Sequence, residues 1–294
     1  MFDRASLTAL LAVLDTGSFA HAADVLGLTQ SAISQRIKTL EEAAGTTLIR
    51  RTRPAEPTEA GQRLRAHAET LALMERQVRS DLGHGTQADI TPIRIAGTAD
   101  TLTSWLLPAL PQEPGLFYDL IIDDQDHSDQ LLTTGAAAAA ITSRARPIPG
   151  CDVHDLGVLT YVAFAAPGFV ETHFAEGLTP ETLTRAPALT YSRKDRLQMA
   201  WAPAATGRAR LRQPPHYVPS PDGNTAAAIA GLGWAVNPQA LITPHFTTGA
   251  LVNLRPDLTV DTPLFWQVPR QNRAVLGPLT TNLLNAARAR QGHG

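Results

Sequence analysis

Apolar positions in the first 57 residues recur in short bursts at helical spacing. Leu7, Leu10, Leu11 and Leu14 follow i, i+3, i+4, i+7, the pattern of one buried helix face. Gly17, Gly27 and Gly45 interrupt the bursts, and Pro54 and Pro57 close them, so short helices are predicted. The pattern changes at Thr58, a good N-cap, followed by Glu59, which suits a helix dipole. Ala60, Leu64, His67, Leu71, Met74 and Val78 then alternate steps of four and three along a polar stretch. A stripe that narrow predicts one long helix that pairs with another helix. Gly83-His84-Gly85-Thr86-Gln87 has the composition of a linker, where this helix should fade.

From Ile93 onward, short apolar runs alternate with helical stretches. Ile93 to Ala96, Leu120 to Ile122, runs within Val153 to Ala166, Ala188 to Tyr191 and Trp234 to Val236 read as strands. Thr101 to Leu110, Ser128 to Leu132, Thr179 to Arg185, Asn224 to Ala230 and Leu276 to Arg290 read as helices. Alternating β and α elements predict parallel sheets in an α/β body. The alanines from Ala136 to Ala140 are in conflict: alanine favours helix, whereas the alternation calls for a strand near Ala139-Ala140-Ile141.

Composition narrows the class. The 294 residues, at about 150 per domain, suggest about two domains. A hydrophobic share of 44% with a net charge of −2 excludes global disorder. Cys151 is the one cysteine, which excludes a disulfide scaffold and fits a reducing compartment. Leu7 to Leu14 followed by Ala20-His21-Ala22 could pass for a secretory signal. Asp3 and Arg4 give no positive excess and Asp15 breaks the run, so a core helix and a cytoplasmic protein are expected.

The most informative stretch is residues 19–41. Ala23 precedes Gly27 by four, and Ile33 follows it by six. A small residue lets two helices cross closely, a glycine takes the tight turn, and a β-branched residue fills the angle between them, so a helix-turn-helix is predicted. Thr29 suits the N-cap of the second helix; Ile33, Ile37 and Leu40 would face inward. Gln30, Ser31, Ser34, Gln35 and Lys38 would then face outward. Such side chains suit a DNA major groove: glutamine pairs with adenine, serine donates or accepts, and lysine reaches guanine or phosphate. Between Thr29 and Arg53, Arg36, Lys38, Arg50, Arg51 and Arg53 outweigh Glu41 and Glu42, a local +3 inside a chain of −2.

Residues 1–65 resemble the winged helix-turn-helix of LysR-type transcriptional regulators. The resemblance is carried by Gly17-Ser18-Phe19, Ala22-Ala23, Leu28 to Ser34, Ile37, Leu40-Glu41, Gly45, Leu48, Arg51-Thr52 and Pro57-Thr58-Glu59-Ala60-Gly61. It implies a DNA-binding domain over 1–57 and a dimerising linker helix and hinge over 58–90. It also implies a two-lobed α/β effector domain over 91–294 resembling periplasmic binding proteins, with lobe I about 91–160 and 265–294 and lobe II about 161–264. It implies base reading by Gln30, Ser31, Ser34 and Gln35 beside the capping Thr29, with Lys38, Arg51 and Arg53 near phosphates. The implied partners are promoter DNA, a small effector, further copies of the chain as dimer or tetramer, and RNA polymerase.

Along nearly the whole chain the sequence is similar to one branch of that family, the ArgP/LysG-like regulators of basic-amino-acid export. Ser31 to Lys38, Ala99 to Leu106, Gly231 to Trp234 and Asp261 to Gln267 carry this likeness. It implies lysine, arginine or histidine as effector and an exporter gene as target.

Ligands of such bodies bind between lobes, near strand carboxyl ends and helix N-termini. Asp100, Asp124 and Asp195 lie where strand readings end, and Asp222 precedes the Asn224 helix. A basic amino acid has two cationic groups for such carboxylates and one carboxylate of its own. Thr98, Thr101, Thr103 and Ser104, beside Trp105 at the start of a helix, could donate to the latter. Gln125 stands where another acid is expected, with His127 close by, and Asn224 where the branch tends to carry an aromatic residue, so a LysR-type regulator that responds to a different small metabolite is the alternative reading.

No cofactor or metal is expected. The chain has no Gly-x-Ser-x-Gly elbow and no Walker loop, Ala230 to Trp234 lacks the third glycine of a dinucleotide site, and the histidines are scattered. Cys151 has no local base. An enzyme and a solute-binding protein are the rival readings. The first lacks a catalytic constellation, and the second leaves the N-terminal residues without a purpose.

Overall fold

The computed structural model describes residues 2–82, 92–112, 117–122, 128–208 and 211–291. The expected linker at Gly83 to Gln87, with Asp124, Gln125 and His127, lies outside the described residues.

The head is built from capped helices: α1 (Arg4–Thr16), α2 (Phe19–Leu26) and α3 (Gln30–Ala44). Asp3, Ser18 and Thr29 each accept an amide proton from the first turn of their helix. Gly17, Gly27 and Gly45 close the same helices with φ between 63° and 67°, a left-handed conformation that costs a residue with a Cβ. Leu10, Val13, Ala22, Ile33, Ile37 and Leu40 fill the core between them. A two-stranded wing follows, with β1 (Ile49–Arg50) antiparallel to β2 (Glu56–Pro57). The Glu41 carboxylate fastens it by accepting the amides of Leu48 and Ile49.

The long helix α4 spans Glu59–Asp81. Thr58 caps it by accepting the Gly61 amide at 3.0 Å. Gly61 has a steric reason: a Cβ there would come within 1.9 Å of the Leu48 carbonyl oxygen, so the helix could not start this close to the wing with any other residue. The predicted stripe divides. Leu64 turns into the head core, while Leu71, Met74, Val78 and the following Leu82 are exposed. No described helix is long and apolar enough to cross a membrane.

The body is a two-lobed α/β structure. Its strands are β3 (Pro92–Gly97), β4 (Phe117–Ile122), β5 (Ala139–Thr142), β6 (Cys151–Ala165), β7 (Ala188–Thr190), β8 (Pro215–Tyr217), β9 (Ala235–Pro238), β10 (Val252–Asn253) and β11 (Val260–Pro269). The main sheet runs β10-β6-β11-β5-β3-β4, with β9 also on β6. The expected parallel sheets need correcting. β3 is parallel to β4 and β5, and β7 to β8, but β6 and β11 are antiparallel to each other and to their other neighbours. The reason is length: these two strands traverse both lobes, and a strand that crosses and returns must reverse direction. Ala139 to Ile141 form a buried strand between β3 and β11, so sheet pairing overrides alanine's helical preference.

Head, linker helix and body meet at a polar junction. Arg94 on β3, 6% exposed, pairs with Glu69 of α4, with Asp119 of β4 at 2.9 Å and with Asp15 of α1 at 3.4 Å. Arg65 of α4 bonds Glu69 at 2.9 Å and also pairs with Asp15. Burial pushes the Glu69 carboxyl up to about 7, against the pull of the Arg65 guanidinium. Beside this cluster the Thr70 hydroxyl donates to Asn272, whose amide donates to the Ala138 carbonyl.

Candidate functional site

Two surfaces merit attention, one on the head and one between the lobes. On the head, α3 buries Ile33, Ile37 and Leu40 and leaves Thr29, Gln30, Ser31, Gln35 and Lys38 exposed, with Ser34 half-buried. The Thr29 hydroxyl, which caps the helix, also lies 3.0 Å from that of Ser31. Lys38 makes an exposed contact with Glu42 at 3.8 Å, weak enough to yield to a phosphate. Arg51 and Arg53 sit exposed in the wing loop, and the Arg51 guanidinium lies 5.3 Å from the centre of the Phe19 ring. The head thus presents a polar helix flanked by cations.

The second surface is a cleft of about 970 Å³ where β6 and β11 cross between the lobes. Thr98, Asp100, Ile122 and Thr262 line it from one side, and Tyr191, Asp195, Asn224, Val236 and Asn237 from the other. Tyr161 and Val260, opposite each other in the two long strands, form part of its wall, and Lys194 and Arg196 also line it. The size is at the upper end of the usual range for small-molecule pockets, about 300–1,000 Å³.

Asp100 is the perturbed carboxylate of the cleft. Burial raises its pKa to about 6, against the hydrogen bond it accepts from the Tyr161 hydroxyl at 2.9 Å, and the Asp195 charge raises it further. The Tyr161 hydroxyl is in turn pushed well above its ordinary value, by burial first and then by Asp100. A half-buried carboxylate with a raised pKa on a cleft wall is one that an incoming cation would stabilise in its charged form. Asp195 is more occupied: one oxygen accepts from the Thr190 hydroxyl and the Tyr191 amide, the other from the Leu197 amide. It fixes the turn that presents Lys194 and Arg196.

Of the residues expected around an effector, the structure brings Thr98, Asp100 and Asp195 to the cleft. Thr101, Thr103, Ser104, Trp105 and Asp222 are not on its lining. Thr101 is fully buried, with its hydroxyl 3.0 Å from that of Thr98. The Thr103 and Ser104 hydroxyls donate back to carbonyls of their own helix, those of Ala99 and Asp100. Trp105 packs in the core beneath the Arg290 guanidinium, and Asp222 is exposed in the first turn of the Pro221–Ile229 helix. Tyr161, Tyr191, Lys194 and Arg196 were not singled out by the sequence. Tyr161 lies on a long strand whose periodicity does not reveal which residues face a cleft.

Comparison with known proteins decides the family. Residues 5–62 match the model of the bacterial regulatory helix-turn-helix protein, lysR family, and residues 87–290 match the LysR substrate binding domain. The chain belongs to the LysR family. This LysR-type chain is 38% identical over 285 residues to the HTH-type transcriptional regulator LysG of Mycobacterium tuberculosis, covering 97% of this chain and 93% of that one. It is 35% identical to the lysine export transcriptional regulatory protein LysG of Corynebacterium efficiens, covering 96% and 97%. Among solved structures it is similar to full-length LysG from Corynebacterium glutamicum with bound effector arginine. That match has a TM-score of 0.66 at 30% identity and covers 98% of both chains. The helix-turn-helix with its wing and the two-lobed body are therefore the two domains of a LysR-type transcriptional regulator.

Proposed function

We propose that this LysR-type regulator binds a basic amino acid in the cleft between its lobes and thereby controls a gene for amino-acid export. The observation that carries the reading is Asp100, a half-buried carboxylate on the cleft lining whose pKa burial raises to about 6. A lysine or arginine ammonium or guanidinium supplies the missing partner, and Lys194 and Arg196 suit the effector's carboxylate. The arginine bound to one LysG and the lysine export named for another support the same class. On the head, Gln30, Ser31, Ser34 and Gln35 read base edges, while Lys38, Arg51 and Arg53 hold phosphates. The exposed Leu71, Met74 and Val78 of α4 pair with another copy of the chain.

Thermal shift of the full-length protein against a panel of amino acids tests the effector class. Lysine, arginine or histidine should raise the melting temperature in a concentration-dependent way, and acidic and apolar amino acids should not. A response to glutamate or aspartate alone would overturn the assignment.

A further inference from the structure

Asn224 is 3% exposed, lines the cleft, and has an Oδ1 atom that is buried without a hydrogen-bond partner. Its surroundings make that conspicuous. In the same wall the Thr225 hydroxyl donates to the Pro221 carbonyl, and the Asn237 amide donates to the Pro221 carbonyl and to the Thr225 hydroxyl. The fold therefore satisfies the neighbouring buried polar groups and leaves this one unpaired in the wall of the cleft. A buried acceptor that nothing pairs is a standing cost, and one facing a ligand cleft is relieved when a ligand donates to it.

We propose that Asn224 is a specificity-determining residue whose side-chain oxygen accepts an N–H from the effector's cationic group. Both Asp195 oxygens already accept from its own turn, whereas Asp100 and the unpaired Asn224 oxygen are acceptors on opposite sides of the cleft. An effector with two separated nitrogen donors, as lysine and arginine have, engages both at once and draws the lobes together. An amino acid with one donor group reaches only one of them. The inference rests on the basic-amino-acid reading and adds to it the residue that distinguishes diamine-like ligands from simple amino acids.

Calorimetric titration of the full-length protein with lysine and with arginine tests it, using Asn224→Leu and Asn224→Asp. The leucine variant keeps the volume and loses the acceptor; the aspartate variant keeps the acceptor. Asn224→Leu should weaken binding at least tenfold, and Asn224→Asp should bind within about threefold of wild type or more tightly. The ligand-free leucine variant should melt no lower than wild type, because an unpaired buried acceptor has gone; a purely structural asparagine would give a lower melting temperature. Unchanged binding by Asn224→Leu overturns the inference alone, as does equal loss in both variants, which would make the side chain a donor. Wild-type protein that takes up neither basic amino acid overturns the inference together with the proposed function.

Discussion

Asp100 combines a structural cost with a use. Its pKa of about 6 in the folded chain is raised above the ordinary value of 3.8. The folded state therefore binds more protons between those values. The stability this contributes is full below about 3.8 and is lost as pH rises through about 6. Binding of a cation has the opposite sign, because it favours the ionised form. Arginine, which keeps its guanidinium charge throughout, should bind with constant affinity above about pH 6 and roughly tenfold more weakly per unit below it. Asp100→Asn should raise Kd about 10- to 100-fold, the loss of one charge-assisted hydrogen bond, and flatten this profile. Titrations from pH 5 to 8 would read both effects; a slope that survives in the asparagine variant would assign the proton to another group. Gln30 belongs to the same scale. Gln30→Ala should reduce discrimination between specific and random DNA by about 1–3 kcal/mol. Binding measured on both DNAs checks this, and equal weakening would make Gln30 a backbone contact.

At the level of elements, the head was the more legible part. Each of its helices is bounded by a capping residue and a left-handed glycine, signals that lie within a few residues of the end they mark. The body was legible in its elements but not in their directions. Val153 to Ala166 read as strand-like runs, and nothing local reveals that one strand crosses both lobes antiparallel to β11. The site was legible in Asp100 and Asp195 because carboxylates at strand ends are visible in sequence. Thr103 and Ser104 misled because a hydroxyl at the start of a helix can donate to a ligand or to the carbonyl four residues back, and spacing is the same in both cases. The stripe on α4 carries its own prediction. Met74→Glu places a charge among Leu71, Val78 and Leu82 without touching a folded core. It should leave the melting of the single chain nearly unchanged and shift the assembly toward monomer in sedimentation; an unaltered assembly would move the interface elsewhere.

For the whole molecule, the Arg94 junction is where three parts share one set of charges. Replacing a buried ion pair's partner leaves an uncompensated charge and costs about 3–5 kcal/mol. Arg94→Met should therefore lower the stability of the full chain by about 3 kcal/mol in urea titrations. It should also separate the two activities: effector affinity in the cleft stays near wild type, while the factor by which effector changes DNA affinity falls toward one. That factor must be the same whichever ligand is titrated first, so measuring both orders tests the coupling itself. Retention of the full factor would show that the head and body communicate by another contact.

Strand β11 gives this coupling a mechanical frame. It starts with Val260 and Thr262 at the cleft and ends at Pro269, three residues before Asn272, which holds Thr70 of the linker helix. Pocket and linker are thus two ends of one nearly inextensible rod about ten residues long. Loops of this regulator are free to lengthen or shorten as the lineage diverges, but the rod is not. Adding a single residue would turn every side chain beyond it to the opposite face of the sheet. Natural variation in this protein should accordingly accumulate as substitutions along β11 and as insertions in the loops.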